Sequence, residues 1–356
     1  MKMPTLFSCV AGVTGIAIFL AGCNSGRSSS ASGLPSAPAD RPLPGASDVA
    51  YARAHFHPHL RWASPDLGKT PRLLFLSDYA SGYVNIYSMP DLVLKAQFGP
   101  WTDLQGECAD RKGDVYVVDA EARYLEGLSR AGEGHYILRD GDGTPLSCAV
   151  NPINGDVAVT NNASPPGRGN IVIFPGGGSG YGGPPISVPH MYTYFFDGYD
   201  RRGNLWVDGY TKSSTSIIVS CKGARCRTIP ISGGTIFHPG FLQYAVGQKT
   251  WYVADRECGG TKSFCIYPVS AGGVLGKKIT LKDAHGKPAC DMFQGAITEA
   301  GSTVFVGGVD NGLYTNCGVN SVARWNFPAG GNSTEGNDDV GQMPTGAAVS
   351  AKVGGF

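Results

Sequence analysis

The sequence predicts an all-β fold, a six-bladed β-propeller closed by its C-terminal strand. Three observations carry this. Six short β-rich segments recur, each closing on Asp, Asn or Gly: Leu74-Phe75-Leu76-Ser77-Asp78, Tyr116-Val117-Val118-Asp119, Ala158-Val159-Thr160-Asn161, Leu205-Trp206-Val207-Asp208-Gly209, Tyr252-Val253-Ala254-Asp255 and Val304-Phe305-Val306-Gly307-Gly308. Their last residues lie 41 to 53 positions apart, a period that suits four short strands per unit. The first repeat lacks a preceding strand, and an unmatched strand, Pro344 to Ser350, ends the chain. No helical periodicity of useful length runs through residues 70–356.

Each unit can be read element by element. Gly113-Asp114, Gly155-Asp156 and Gly203-Asn204 precede three of the closing segments and read as hairpin turns. A further strand follows most closing residues: Tyr83 to Tyr87, Asn170 to Phe174, Ser216 to Val219, Cys265 to Tyr267 and Ser321 to Trp325. A strand rich in small residues precedes the later hairpins: Gln105 to Ala109, Ser147 to Val150, Asp197 to Tyr199, Gly240 to Leu242 and Gln294 to Ile297. Small side chains fit where inner strands converge on an axis. If Pro344 to Ser350 completes the first unit, closure removes the sheet edges that invite aggregation.

The N-terminus reads as an address. Lys2 begins it, residues 4–20 carry no charge, and Leu20-Ala21-Gly22-Cys23 follows. The apolar run is a signal-peptide core rather than a membrane span. The tetrapeptide resembles the bacterial lipobox, which implies cleavage after residue 22 and lipidation of Cys23. Residues 23–46 are rich in Ser, Gly, Ala and Pro and read as a flexible tether. Residues 47–70 form a pre-propeller segment, and residues 71–356 the propeller. Asn24 stands where Asp would favour inner-membrane retention, so the resemblance implies an outer membrane or cell surface.

Ten cysteines bear on the compartment. Beyond Cys9, in the signal peptide, and Cys23, eight remain: Cys108, Cys148, Cys221, Cys226, Cys258, Cys265, Cys290 and Cys317. An even number in an exported chain implies disulfides. Cys221 with Cys226 and Cys258 with Cys265 enclose hairpin tips. Cys290 with Cys317 would clip one repeat. Cys108 and Cys148 sit at similar places in successive repeats and would bridge neighbouring blades. No Cys-x-x-Cys occurs, which argues against zinc.

Composition excludes some functions. The formal net charge is +1 and the longest basic clusters are pairs, so there is no nucleic-acid footprint. Gly178 to Gly183 fits a Gly-x-Gly-x-x-Gly string but runs into Pro184-Pro185, so no helix opens there to receive phosphate. Asp140-Gly141-Asp142-Gly143 lacks the distal Glu of a calcium loop, that place being Asn151. No Gly-x-Ser-x-Gly elbow is present. His55, His57 and His59 alternate and would face one way in an extended segment, which suits a transition metal. The isolated His135, His190, His238 and His285 read as structural. Residues beside the inner-strand glycines, namely Gln105, Asp197, Gln294 and Thr345, are expected to ring a channel mouth, with Glu107 on the same face as Gln105.

The pattern of Pro-x-Gly-small-Ala-Val, then x-Gly-Asn/Asp-Leu/Val-aromatic-Val-x-Asp, is best matched by Pro344 to Ser350 and Gly203 to Gly209. It resembles the NHL-repeat and SMP-30/gluconolactonase-like propellers over about residues 70–350. The lactonases among them hold a divalent cation at the axis. That implies Glu107, with Asn161, Asp197 and Asp255, as oxygen ligands, although the local sequence does not repeat the family's metal motifs residue by residue. A metal-bound water would then attack a lactone or ester carbonyl. Two readings follow. One is a lipid-anchored, non-catalytic envelope propeller that binds a protein, glycan or small ligand. The other is a metal-dependent hydrolase or lyase acting at the axis.

Overall fold

The computed structural model describes residues 59–351, apart from 131–133, 142, 163–167, 179, 262, 291, 299–303, 309–321 and 338–342. Cys23, His55, His57 and Cys317 lie outside the described residues. The strands form separate sheets in a β-propeller arrangement. Only three-residue 3₁₀ turns interrupt them among the described residues, and no described helix is long and apolar enough to cross a membrane.

The sheets follow chain order. The first runs His59–Ala63, Leu94–Gly99, Tyr83–Ser88, Arg72–Asp78 and Pro344–Ala351. The second places Leu104–Ala109, Val115–Asp119, Tyr124–Leu128 and Gly134–Arg139 side by side, with Gly180–Tyr181 added in parallel. The third holds Pro145–Val150, Val157–Asn161 and Asn170–Phe174. The fourth spans Thr193–Tyr199 to Arg225–Ile229, the fifth Pro239–Ala245 to Ile279–Lys282 with Gly331–Asn332, and the sixth Gly295–Thr298 to Glu335–Asn337.

Two expectations need correction. Six blades of four strands were expected, but five sheets reach four or more strands and the third has three among the described residues. Its outer position is met only by an isolated bridge from Ile171 to Ile186. Pro184-Pro185 explains this, since proline cannot donate to a ladder. The segment taken to precede the propeller instead gives it a strand, because His59–Ala63 pairs with Leu94–Gly99.

The hairpin turns form for a local reason. Asp110 Oδ1 accepts the backbone N–H groups of Lys112 and Asp114, and Asp200 Oδ1 those of Arg202 and Asn204. The chain then needs a left-handed residue, and Gly113 (φ 90°) and Gly203 (φ 73°) supply it.

The core lies between sheets. Leu73, Phe75, Ile86 and Phe98 of the first pack against Val115, Val117 and Leu128 of the second. Phe241, Phe264, Phe305 and Trp325 stack between the fifth and sixth. Both faces of a strand are therefore covered, which is why Leu73-Leu74-Phe75-Leu76 is continuously apolar rather than alternating. Each such side chain contributes about 1.5–3 kcal/mol when buried.

Three disulfides join the cysteines the spacing paired: Cys108–Cys148, Cys221–Cys226 and Cys258–Cys265. The first links the inner strands of the second and third sheets. Cys290 is also disulfide-bonded.

Candidate functional site

The recurring strand-end carboxylates hold the loops that carry the site. Asp78 accepts N–H bonds from Ala80 and Met343. Asp119 accepts those of Thr102 and Ala122, and Asp255 those of Phe237, His238 and Glu257. Each carboxylate ties the turn after its own strand to the segment entering the inner strand. In the fourth sheet this residue is Asp208, which accepts the Phe196 N–H, and not the expected closing residue Gly209. Asn161 plays a related part, donating to Asp140 and Asn170.

The expected channel-mouth residues are mostly buried. Thr345 donates to the Leu104 carbonyl and Gln105 to Asp103. Gln294 reaches across to the second sheet, accepting from Glu107 N–H and donating to the Glu107 carbonyl. Glu107 points between the first two sheets, where Ser77 donates to Oε1 at 2.6 Å, the Ala348 backbone lies beside the carboxyl, and Oε2 has no hydrogen bond of normal geometry among the described residues. A register shift between Leu104 and Glu107 breaks the alternation that would have put Gln105 and Glu107 on one face. Asp197 is similarly enclosed, with Ser147 as its polar neighbour and no hydrogen bond of normal geometry to either carboxylate oxygen.

Burial decides the charge of these groups. It pushes both the Glu107 and the Asp197 carboxyl up to about 8, against the opposing pull of Ser77 and Ser147. Burial also raises Asp208 well above the carboxylate range and raises Asp255. Glu107, Asn161, Asp197 and Asp255, the expected metal set, thus each have a different local environment. Among the described residues no three His, Cys, Asp or Glu side chains converge as a metal site would require.

The accessible chemistry lies at the strand ends of the third, fourth and fifth sheets. Tyr192 and Phe237 are large exposed rings there, 37% and 43% accessible. Tyr210 stands between them. Its hydroxyl donates to the Phe237 carbonyl at 2.7 Å, and its ring meets Phe195 and His238 edge to face. His238 Nδ1 lies 3.1 Å from Glu257 Oε2. Arg256 is buried with its guanidinium 3.4 Å above the Phe293 ring, a cation–π contact. Beside Tyr192 opens a recess of about 480 Å³.

Sequence reasoning did not find this arc and took His190 and His238 as structural. A signal was present. An aromatic residue within two positions of a His, just before the inner strand, recurs in His190-Met191-Tyr192 and Phe237-His238. The side chains of His59 and His135 lie outside the described residues.

No family model matches the chain, and neither does any curated protein. Solved structures do resemble it. One is a chain of the crystal structure of a nidogen/laminin complex, with TM-score 0.60 and 14% identity, covering 78% of this chain and 98% of that one. Another is a protein of unknown function from Bacteroides caccae, with TM-score 0.59 and 11% identity, covering 79% and 99%. At such identities the likeness is one of fold, and the class it defines is the β-propeller.

Proposed function

We propose that the protein is a lipid-anchored β-propeller of the bacterial cell envelope that binds a ligand without transforming it. The observation that carries this is the arc of exposed rings, Tyr192 and Phe237, the first on a loop tied to its sheet by a backbone bond to Tyr210 and the second on a loop held by the buried Asp255 carboxylate. Binding residues tend to sit on such loops. The lipobox-like Leu20 to Cys23 supports the anchor and the envelope location. We also read the scaffold as six blades closed into a ring, related to the NHL and SMP-30-like propellers. Supporting this, Pro344–Ala351 pairs antiparallel with Arg72–Asp78, and Ala296 and Val322 of the last sheet pack with Leu74 and Leu76 of the first. A nidogen/laminin complex gives a precedent for such a fold in a protein complex.

The test uses intact cells. A photo-crosslinking residue at 192 or 237 is expected to give an adduct of defined mass. The same residue at Ile153, at the other end of the strands, is expected to give none. Equal labelling at all three sites, or turnover of a lactone lost in Glu107→Ala, overturns the reading. Cys23→Ser should abolish incorporation of a fatty-acid label, and continued incorporation would refute the anchor.

A further inference from the structure

The fourth sheet gathers positive charge at its hairpin-turn end. Thr193–Tyr199 passes into Leu205–Tyr210 through the turn that holds Arg201 and Arg202, and Ser216–Lys222 passes into Arg225–Ile229 beside it. Leu205 pairs with Cys221, so the two tips are neighbours. Arg201, Arg202, Lys222, Arg225 and Arg227 are all exposed. In the sequence they form only short clusters, and strand pairing makes them one patch. The ion pairs among the described residues join Lys95 to Asp66 and His238 to Glu257 and take none of the five. Asp200 is the one carboxylate in these two tips, and it is turned onto the Arg202 and Asn204 N–H groups and the Asn204 amide.

The patch is held together against its own repulsion. Lys222 and Arg225 stand directly opposite each other, a like-charge pairing that destabilises a sheet. The Cys221–Cys226 disulfide closes the tip just behind them. Charge on an edge strand also deters pairing with another chain. That accounts for Arg225 and Arg227, which lie on the outer strand, but not for Arg201 and Arg202, which lie on the inner hairpin. All five sit on or beside turn tips. Such tips suit a planar surface, whereas small ligands take concave sites.

We propose that this end of the fourth sheet docks on the anionic phospholipid headgroups of the bilayer that holds the chain's lipid anchor. The docking rests on the anchor proposed above and adds an orientation to it. Charge and reach select the bilayer as occupant. Each Lys or Arg beside an anionic membrane strengthens attachment about fivefold. Cys23 and His59 are 36 positions apart, and a Ser-, Gly- and Pro-rich chain of that length spans about 30 Å. His59 pairs with Gly99, at the loop end of the first sheet. The level of the hairpin tips is one strand length further on, ~20 Å, which is within that reach. Docked in this way, the chain turns the exposed rings of Tyr192 and Phe237 away from the bilayer.

The test places the full lipidated chain in vesicles of pure phosphatidylcholine and in vesicles of phosphatidylcholine mixed with phosphatidylglycerol. Hydrogen exchange at 201–204 and 222–227 is expected to slow at least fivefold in the anionic vesicles, while 236–238 exchanges alike in both. The triple variant Lys222→Gln, Arg225→Gln, Arg227→Gln is expected to lose that protection at an unchanged melting temperature. Lys277→Gln with Lys278→Gln, a pair exposed on the fifth sheet, is expected to keep it. Equal exchange in the two vesicles, protection at 236–238 instead, or protection that survives the triple variant overturns the proposal. Stronger protection of the same segments by soluble polygalacturonate than by the anionic vesicles also overturns it, and makes the patch a site for an acidic polymer. Flotation separates the two readings. A chain that does not float with phosphatidylcholine overturns the anchor and the docking with it, whereas one that floats with both vesicles and exchanges alike in them overturns the docking alone.

Discussion

The two ends of the β-strands use the same residue types to different effect. At one end Asp110 and Asp200 accept N–H groups two and four residues ahead, so each turn closes on itself. At the other end Asp255 accepts from Phe237 and His238, and Asp78 accepts from Met343, 265 positions away. The first end is stapled locally and the second across the chain. The exposed aromatic arc sits at the second end, where loop positions depend on distant contacts. The contrast teaches that the loops at the second end are fixed by contacts between separate segments of the chain, while the hairpin turns would form in almost any sheet.

The disulfides repeat the contrast and offer the largest break in it. Cys108–Cys148 spans 40 positions and Cys221–Cys226 spans 5. Loop-closure entropy then predicts a loss of about 4 kcal/mol for removing the first and about 2 kcal/mol for the second. Denaturant unfolding of the two double Cys→Ala variants checks this, and equal losses would place local and long-range staples on a par.

Next in size is Asp255→Ala, which orphans three backbone donors, against Asp200→Ala, which frees an exposed turn. We expect about 3 kcal/mol against about 1 kcal/mol. Only the first should also expose residues 236–238 to faster hydrogen exchange. Similar exchange in both variants would remove the distinction between the two ends.

The mid-strand carboxyls sharpen the point through pH. Glu107 and Asp197 stay protonated in the fold up to about pH 8, whereas their ordinary values are 4.5 and 3.8. Between those limits the folded chain holds more protons than the unfolded one. Their contribution to stability is therefore complete below about pH 4 and falls as pH rises to about 8. Glu107→Gln should flatten that decline, gaining ~1 kcal/mol or more at pH 8 relative to pH 5. Melting curves at the two pH values decide it, and a decline as steep as that of the wild type would show that Glu107 is ionised in the fold.

Smallest in stability is Phe237→Glu. Its ring is substantially exposed, so the change should stay within ~0.5 kcal/mol while abolishing the adduct at the loop face. A large destabilisation would make Phe237 part of the scaffold instead.

Much of the fold was legible. The closing segments, hairpin glycines and small-residue strands fell on observed strands because each is set by local turn chemistry and β-propensity. The unequal third sheet was less legible. Pro184-Pro185 was visible, but only the paired structure shows that no full outer strand replaces it. The strand His59–Ala63 was missed because an edge strand carries little periodic signal. For the site, residue types were readable and their company was not. Glu107 looked like a channel carboxylate by alternation from Gln105, and Asp197 by its place before an inner-strand glycine, but both strands carry register shifts and both carboxyls are buried. Tyr192, Tyr210 and Phe237 looked like ordinary β-formers, since their meeting depends on the loops of two neighbouring sheets.

The sequence by itself determined the all-β class, the repeat and three cysteine pairs, because these depend on short-range spacing and composition. The tertiary structure decided which carboxylates take backbone donors and which are buried without them, and it decided which rings face solvent together. Those outcomes depend on what each strand packs against, and contacts between residues tens to hundreds of positions apart leave no periodic mark in the chain.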